Sequence, residues 1–415
     1  MDAPESDRTT TAHPVPGGPG EEGVRARLIL AKNQERRLRS GHPWVFSNEI
    51  AAIEGAPEPG GEVLVVDHRG GTVGVALYNP HSLIAARLFA RRERPVDADL
   101  LRERIRESAA FRKRIYPVES TYRLVYSEGD FLPGLVVDRY GDYLSAQSLT
   151  LGIERRIDWV LDALEEVERP AGICCRRDSP SRAYEGLPLM DPLVRGDVPD
   201  RVRAPYEGFV LEVDLRTGQK TGEFLDQREN RKRVAREARG RRVLDLYCYT
   251  GLFSIHCAAA GASHVLGVDR SGPAIERARV NHERNTLGRS VEFVEEEVES
   301  ALRRLGQGAE RFDMILLDPP SLVKSRKTFR EGVAKYEALN TSAMRLLPPG
   351  GILATSTCSH HVDAPVFQEI LRAAAKRAGA TFRVVEVMGQ SRDHPVLLAA
   401  RETAYLTLAL MERIH

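Results

Sequence analysis

The sequence predicts an α/β protein with a doubly wound parallel sheet in its C-terminal half, preceded by a small β-barrel and a small α+β domain. Three observations lead to this fold class. The chain has 415 residues, too many for one hydrophobic core. From Tyr206 onwards, apolar segments of strand length alternate with helical patterns, which is typical of a parallel sheet. Between Val24 and Val96 the apolar runs are short and are separated by turn residues such as Gly70-Gly71, which favours antiparallel strands.

The composition is that of an ordinary globular protein, with 42% hydrophobic and 29% charged residues. Because the formal net charge is +1, a nucleic-acid partner would have to be bound by a local basic face. The sequence contains no apolar run of the ~18 residues that a membrane span needs. Five cysteines without a C-x-x-C pair predict neither a disulfide framework nor a metal site, and they indicate the reducing cytoplasm.

The N-terminal segments differ in composition. Residues 1–23 are rich in Pro, Gly, Thr and acidic residues without periodicity, which predicts a disordered tail. Residues 24–96, the predicted β-barrel, contain 11 basic and 7 acidic residues and thus carry a local charge of +4. The basic segment at residues 32–39 is followed by Trp44. This pattern fits an RNA-contacting surface, and it fits equally well an ordinary solvated face with Trp44 in the core.

Residues 97–205 are predicted to form the central, small α+β domain. Residues 97–116 carry apolar residues at helical spacing, including Leu100, Ile105 and Ile115, and predict an amphipathic helix. Two strand patterns, a second helix and a further strand follow this helix. The domain is predicted to end at Pro205, where the strand and helix rhythm changes.

The organising unit of the C-terminal part is a strand, turn, helix and strand between Arg242 and Asp269. Such a turn presents backbone N–H groups at a helix N-terminus to an anionic group, and Asp269 can accept hydrogen bonds from both ribose hydroxyls. A dinucleotide-binding enzyme would usually have G-x-G-x-x-G here, whereas this chain has only Gly251. A single glycine suits a smaller group, such as the amino-acid end of S-adenosylmethionine.

Polar residues follow the other predicted strands of this region. They are Glu296-Glu297, Asp318-Pro319-Pro320 and Thr357-Cys358-Ser359. Ligands of doubly wound sheets bind at the carboxyl ends of the strands, so these residues are expected to share one edge. Glu297 is placed to accept from an adenine amino group, and Asp318 lies where a methyl group would meet its acceptor. Each residue alone has a simpler explanation, such as helix capping, but their order favours a nucleoside site.

Four motifs carry a resemblance to a known family. The segments FDMILLDPPSLVKSR, GGILATSTCS, DLYCYTGLF and KTGEFLDQR resemble the RlmI-type bacterial ribosomal RNA methyltransferases, which methylate carbon 5 of cytosine in large-subunit (23S) rRNA with S-adenosylmethionine. The segment HPWVFS (residues 42–47) resembles the start of the family's N-terminal PUA domain. The resemblance implies a PUA-like RNA-binding domain over residues 24–96 and a Rossmann-like class I methyltransferase domain over residues 206–415. It also implies rRNA as the partner and allows a homodimer.

The resemblance further implies roles for individual residues. Cys358 would be the nucleophile that adds to C6 of the cytosine, because C5 becomes nucleophilic only after such an addition. Asp318 would hold the N3/N4 edge of the base and stabilise its protonated form. The residue that removes the C5 proton is not identified. The residues implied in cofactor binding are Gln227, Arg228, Tyr247, Tyr249, Thr250, Gly251, Asp269, Glu297, Asp318 and Pro319.

Three other interpretations stay open. A methyltransferase of the same fold could act on a guanine ring nitrogen or an exocyclic amine, which is chemistry that needs no thiol. A non-catalytic RNA-binding assembly factor could retain the fold, and an NAD-linked oxidoreductase is disfavoured by the single glycine. Cys248 is interpreted as a packing residue. His360-His361 follow Cys358 directly, and a neighbouring imidazolium could lower the pKa of the thiol, but successive residues usually point apart.

Overall fold

The computed structural model describes residues 26–287, 290–308 and 310–415, so the predicted tail at residues 1–23 lies outside the described residues. Its first part contains a short helix, α1 (Glu35–Arg39), and six strands: β1 (Arg27–Leu30), β2 (Trp44–Val45), β3 (Ile50–Glu54), β4 (Glu62–Val66), β5 (Thr72–Tyr78) and β6 (Ala86–Ala90). These strands form one sheet in the order β2-β6-β5-β4-β1-β3.

The connection between the two end strands of this sheet explains its curvature. Only residues 46–49 separate β2 from β3 in the chain. In a flat sheet of six strands the two ends would lie roughly 24 Å apart, whereas this connection spans at most about 18 Å. The sheet therefore curls until its ends meet, as expected for a small barrel. Leu28, Val63 and Leu88 are buried in its core.

The central part is a five-stranded sheet packed against helices. The helices are α2 (Ala98–Ile115), α3 (Leu151–Glu154) and α4 (Ile157–Glu168), and the strands are β7 (Thr121–Tyr126), β8 (Leu135–Tyr140), β9 (Tyr143–Ser148), β10 (Gly172–Arg177) and β11 (Met190–Gly196). The strand order is β11-β10-β9-β8-β7. The predicted amphipathic helix is confirmed as α2, since Asp97 caps it by accepting from the Leu100 N–H at 2.9 Å. Leu100 and Ile105 enter the same core as Leu124 of β7.

A hairpin of β12 (Val202–Tyr206) and β13 (Phe209–Val213) crosses the predicted domain boundary after Pro205. The hairpin is tied to the C-terminal part, because the side-chain oxygens of Asn281 and Asn285 accept from the Glu212 and Val210 N–H groups at 2.9 and 2.8 Å. A boundary at Pro205 would cut paired strands. The hairpin also packs on Tyr140 and Cys174 of the central part, so the position of the boundary stays a prediction.

The C-terminal part is a seven-stranded sheet with both faces covered. Its helices are α5 (Arg228–Ala235), α6 (Leu252–Ala259), α7 (Gly272–Arg284), α8 (Val298–Gln307), α9 (Phe329–Leu346) and α10 (Ala364–Ala378), and its strands are β14 (Arg242–Leu246), β15 (His264–Asp269), β16 (Ser290–Glu295), β17 (Met314–Leu317), β18 (Ile352–Thr357), β19 (Phe382–Met388) and β20 (Thr407–Arg413). The strand order is β16-β15-β14-β17-β18-β20-β19. Alternate residues enter two different apolar clusters, with Leu244 and Leu317 in one and Val243 and Leu316 in the other. This alternation confirms the doubly wound arrangement.

Two details of this part differ from the sequence prediction. The first five strands are parallel, but β20 is antiparallel to β18 and to β19, so the expectation of a fully parallel sheet is wrong. The reason is that residues 389–406 return the chain without a crossover helix. The apolar spacing from Tyr336 onwards predicts a helix that begins at Tyr336. In the structure this helix begins at Phe329, because Phe329 and Val333 also pack against the core.

Candidate active site

The turn after β14 has an unusual backbone conformation. Tyr247, Tyr249 and Gly251 have φ angles of +63°, +49° and +79°. This left-handed region is rare for residues with a side chain, and such residues cluster at functional sites. A side chain at position 251 is also sterically excluded, since a Cβ atom would lie 2.8 Å from the Phe293 ring. The turn thus brings the first N–H groups of α6 to the carboxyl edge of the sheet.

Asp269, at the end of β15, fixes this turn. Its Oδ2 accepts from the Tyr249 N–H at 3.0 Å, and its Oδ1 accepts from the Ser271 N–H at 2.9 Å. Each carboxylate oxygen can accept a further hydrogen bond. The contacts that Asp269 already makes are therefore compatible with the predicted contact to ribose hydroxyls.

The two glutamates that follow β16 have different surroundings. Glu296 forms an ion pair with Arg304 at 2.7 Å. Glu297 is exposed at the start of α8 and has no ion-pair partner among the residues described. Burial and the negative charges of Glu299 and Glu297 raise the pKa of the Tyr247 hydroxyl, which places Glu297 beside the turn. Of the two predicted carboxylates, Glu297 is the one free to accept from a ligand.

The segment between β13 and α5 packs on the turn and forms one wall of the site. The Tyr249 hydroxyl donates to the Gly222 carbonyl at 3.2 Å, and the Tyr249 ring contacts the Phe224 ring edge-on at 5.1 Å. The buried Thr250 hydroxyl donates to the Glu223 carboxylate. These contacts hold the KTGEFLDQR motif against the end of β14.

Asp318, at the end of β17, is held by two donors. The Gln227 side-chain amide donates to Oδ1 at 3.1 Å, and the Ser356 hydroxyl donates to the same oxygen. Burial raises the pKa of Asp318, and the nearby Asp226 carboxylate raises it further. A carboxyl group in this state can donate a proton as well as accept one. Pro319 is buried directly behind it.

Cys358 lies at the same edge, just after β18. Its side chain is half-buried. Burial raises the pKa of the thiol to about 11; the Lys220 ammonium acts to lower it, and the Asp318 and Asp226 carboxylates raise it. Lys220, Asp318 and Asp226 are thus all close enough to act on the thiol, so the structure brings the two predicted catalytic residues, Cys358 and Asp318, to the same edge.

The suggested role of His360 as an activating imidazolium is not supported. Burial lowers the pKa of His360, and the adjacent His361 and Lys220 lower it further. The ring is therefore neutral near pH 7. The cation beside the thiol is Lys220, whose Nζ lies 4.5 Å from the centroid of the Phe224 ring.

The structure does not bring Arg228 to this site. Its guanidinium is buried between the Tyr116 and Tyr206 rings, 4.7 and 4.6 Å from their centroids. It donates to the Thr121 carbonyl and pairs with Glu207 at 3.3 Å. Arg228 therefore joins the central part to the methyltransferase sheet. It is not among the residues expected to bind the cofactor.

Four residues near Asp318 and Cys358 were not among the predicted ones. The Tyr405 hydroxyl donates to the Asp226 carboxylate, and the Tyr405 ring lies 5.8 Å from the His360 ring. Strand periodicity could have identified Ser356, which lies two residues before Cys358 on the same strand face. Tyr405 lies in a segment without periodicity and had no such signal. The four residues are Lys220, Asp226, Ser356 and Tyr405.

Comparison with known proteins identifies the family. The profile of PUA-like domains matches residues 28–91, and the profile of S-adenosylmethionine-dependent methyltransferases matches residues 191–406. The ribosomal RNA large subunit methyltransferase I of Erwinia tasmaniensis is 37% identical over 92% of this chain and 97% of its own length. That of Escherichia coli is 36% identical over 92% and 97%. The chain belongs to the ribosomal RNA large subunit methyltransferase I family. It is an S-adenosylmethionine-dependent methyltransferase, as the motifs predicted.

Solved structures share the fold of this methyltransferase. A chain from Streptococcus mutans, described as a candidate S-adenosylmethionine-dependent methyltransferase, gives a TM-score of 0.81 at 20% identity and covers 93% of this chain and 99% of its own. A candidate methyltransferase solved with S-adenosylhomocysteine gives 0.82 at 20% identity. The predicted α/β fold with a PUA-like domain is confirmed. Within the described ranges, none of the helices is long and apolar enough to cross a membrane.

The carboxyl edge of this methyltransferase fits S-adenosylmethionine. Asp269 offers acceptors for a ribose, and Glu297 offers one for an adenine amino group. The N–H groups at the start of α6, reached through the left-handed turn at Gly251, suit a carboxylate. We therefore expect these three residues to hold the cofactor, together with Tyr247, Tyr249, Thr250, Gln227, Asp318 and Pro319.

Proposed function

We propose that this chain methylates carbon 5 of a cytosine in large-subunit ribosomal RNA. The names of its relatives support the substrate class. The observation that supports the base and the chemistry is the position of Asp318 beside Cys358. Leu317 of β17 lies opposite Thr355 of β18 in a parallel pair, so Asp318 follows at the level of Ser356, two residues before Cys358. The Asp318 carboxylate is close enough to raise the pKa of the Cys358 thiol. A carboxyl group next to a thiol is what nucleophilic addition to a cytosine ring requires.

S-adenosylmethionine, when bound, supplies an electrophilic methyl group on its sulfonium. The Cys358 thiolate forms a bond to C6 of the cytosine, while Asp318 donates a proton to N3 as the ring gains negative charge. C5 is then nucleophilic and accepts the methyl group as the bond from that group to the sulfonium sulfur breaks. The C5 proton passes to water while the C6–S bond breaks and releases the Cys358 thiolate. N3 returns its proton to Asp318, which restores the aromatic ring.

The raised pKa of Cys358 defines how this reaction begins. With a pKa of about 11, the thiol is protonated near neutral pH. The thiol must therefore release its proton to water before it adds to C6. The Lys220 ammonium favours the resulting thiolate, and the sulfonium of the cofactor would add a second positive charge. The base must also leave its stacked position, because a thiolate cannot reach C6 inside a helix. We propose that the PUA-like domain binds the RNA that presents this base.

The raised thiol pKa favours a second candidate function. A methyltransferase that modifies a guanine ring nitrogen or an exocyclic amine needs no thiolate, so a protonated Cys358 would not impair it. Asp318 would then accept the proton that the nitrogen loses.

Transfer of labelled methyl groups to unmodified large-subunit rRNA, followed by digestion to nucleosides, tests both functions. We expect label in 5-methylcytidine with the wild-type enzyme and none with Cys358→Ala. Cys174→Ala is the matched control, because Cys174 is buried in β10 of the central part. Label in a modified guanosine, or unchanged labelling by Cys358→Ala, would favour the nitrogen-methylating function. Absence of label on any RNA would favour a non-catalytic assembly factor.

We also propose a homodimer formed through the edge strand β19. Val384, Val385 and Val387 are exposed by 46%, 46% and 55% on this strand. Beside them, an apolar groove of about 610 Å³ runs between α10 and the last two strands. An exposed apolar edge strand favours pairing with a second copy. Light scattering should give a dimer for the wild type and a monomer for Val387→Lys.

The five free cysteines support a cytoplasmic location.

A further inference from the structure

A second concave site lies between the PUA-like sheet and α2, away from the carboxyl edge of the methyltransferase sheet. It encloses about 350 Å³, at the lower end of the range for small-ligand pockets. Its walls are the chain after β6, the side of α2, and the loop before β8. The side chains used below are Arg91, Arg92, Arg94, Arg104 and Phe131.

Two of the four arginines in this groove are neutralised by carboxylates. Arg94 pairs with Glu103 at 2.8 Å, and Arg104 pairs with Glu107 at 2.7 Å. Both pairs are partly exposed, so they contribute little to stability and can be exchanged for a ligand.

The other two arginines have no carboxylate partner in the described part of the chain. Arg91 donates to the Leu38 carbonyl at 2.7 Å and to the Gly41 carbonyl, and burial lowers the pKa of its guanidinium. Arg92 is exposed and forms no ion pair within the described ranges, and neither does the adjacent Glu93. Arg91 and Arg92 are therefore not held in ion pairs within the described residues.

Phe131 supplies an aromatic surface in the same groove. It is 40% exposed, and the Arg104 guanidinium lies 5.4 Å from its ring centroid. Its φ angle of +56° is left-handed, which is rare for a large side chain. The preceding residue, Asp130, is fixed by a buried ion pair with Arg112 at 2.7 Å and by the Tyr126 N–H at 2.6 Å. The fold thus presents an exposed ring from a rigid support.

This support is also connected to the catalytic edge. Arg112 donates to the Asp393 carbonyl at 2.6 Å. The Tyr126 ring lies 6.2 Å from the Tyr405 ring, and Tyr405 donates to Asp226 beside the catalytic groups. An RNA in the groove would therefore occupy a fixed position relative to Asp318 and Cys358.

We propose that this groove binds one unpaired nucleotide of the RNA substrate, with the base stacked on Phe131 and its phosphate held by Arg91 and Arg92. This inference rests on the proposed rRNA substrate. Single-stranded RNA is recognised by stacking on aromatic rings and by arginine contacts to phosphate. The basic segment at residues 32–39 is less suited to this role, because it contains no aromatic residue on which a base could stack. Two of its arginines, Arg37 and Arg39, are also paired with Glu49 and Asp67 at 2.8 Å.

Binding of a fluorescein-labelled 12-nucleotide oligouridylate and of 23S rRNA to the full-length enzyme tests this proposal. Phe131→Leu should weaken binding about 5- to 100-fold, as expected when one stacked base is lost. Arg92→Gln should weaken binding and reduce the salt dependence by about one phosphate contact. The matched controls are Trp159→Leu, which removes a 44% exposed aromatic side chain on α4, and Arg236→Gln, which removes an exposed arginine after α5.

The outcomes separate this proposal from the proposed function. With saturating rRNA, the turnover number of both groove variants should stay within about twofold of the wild type, while their KM for RNA rises. Variants that bind RNA like their controls would overturn the groove assignment and leave the methylation chemistry intact. If the wild type transfers no methyl group to rRNA, the oligouridylate assay still decides whether the groove binds RNA. Photocrosslinking of a 4-thiouridine oligonucleotide to the peptide that contains Phe131 would support the groove without any substitution, and crosslinks only elsewhere would overturn it.

Discussion

The carboxyl edge of the methyltransferase sheet has two halves that are assembled in different ways. We call the region around Gly251 and Asp269 the cofactor half, and the region around Asp318 and Cys358 the base half. In the cofactor half, Asp269 bonds to backbone N–H groups 20 and 2 residues away in the chain. In the base half, Asp318 is held by Gln227 and Ser356, which are 91 and 38 residues away. Asp269 and the turn that it fixes thus belong to one local strand-turn-helix unit, although the KTGEFLDQR segment also packs on that turn. The base half exists only after distant segments have packed together, and burial there raises the pKa of both Asp318 and Cys358.

The largest expected effect comes from removing the proton donor of the base half, the carboxyl group of Asp318. Asp318→Asn keeps an acceptor for the Gln227 and Ser356 donors but cannot donate a proton to the cytosine ring. We expect kcat to fall about 10²- to 10⁴-fold, as for loss of a general acid. The affinity for S-adenosylmethionine should fall much less, because the amide keeps an acceptor oxygen. The control is Asp313→Asn, at the opposite end of the same strand. An equal loss in both variants, or weakened cofactor binding alone, would contradict the catalytic role.

The pH dependence of thiol alkylation measures the pKa of Cys358 in the base half. Because the thiolate is the reactive form and the pKa of Cys358 is about 11, its alkylation by iodoacetamide should rise about 100-fold between pH 7 and pH 9. Mass spectrometry of the modified peptide gives the rate. The other four cysteines are at most 7% exposed and serve as internal controls. A rate that reaches a plateau below pH 8 would show that the thiol is already activated in the free enzyme.

Asp269→Asn tests the cofactor half. The substitution removes the charge and one acceptor from the predicted ribose contact. Loss of a charged hydrogen bond should raise the KM for S-adenosylmethionine about 10- to 100-fold, with a small effect on kcat. Glu276→Gln, an exposed change on α7, is the control. A drop in kcat without a change in KM would mean that the two halves are coupled.

The smallest expected effect is a change in the pH dependence of stability, and it comes from the buried carboxyl group of Asp245. Asp245 in β14 accepts from the Ser254 hydroxyl at 2.7 Å, and burial raises its pKa to about 7. The native state therefore binds this proton more tightly than the unfolded chain does, and the resulting stability is lost as the pH rises through about 7. Between pH 5.5 and pH 8.5 the free energy of unfolding should fall by about 2 kcal/mol more in the wild type than in Asp245→Asn. Urea titrations at both pH values measure this difference, and parallel curves for the two proteins would exclude it.

The contrast between the halves also explains what the sequence could predict. Apolar periodicity was sufficient for α2 and for the alternating unit around Gly251, because these patterns are local. The antiparallel β20 was missed, since residues 389–406 lack periodicity. Arg228 follows Gln227 directly in the motif, yet the two side chains serve different regions. Periodicity could not predict their different roles. Only the packing of the domains determines which of the two side chains points towards Tyr206.

The buried contacts between the central part and the methyltransferase sheet have a consequence for substrate selection. Arg112 and Arg228 cross this interface with their charges paired to Asp130 and Glu207 inside the protein, so the parts on either side cannot slide past one another at low energetic cost. An RNA that fills the groove at Phe131 and also delivers a cytosine to Cys358 must therefore span a fixed distance. The enzyme would then select its cytosine by the distance between an unpaired nucleotide and the target base, rather than by the identity of the bases between them.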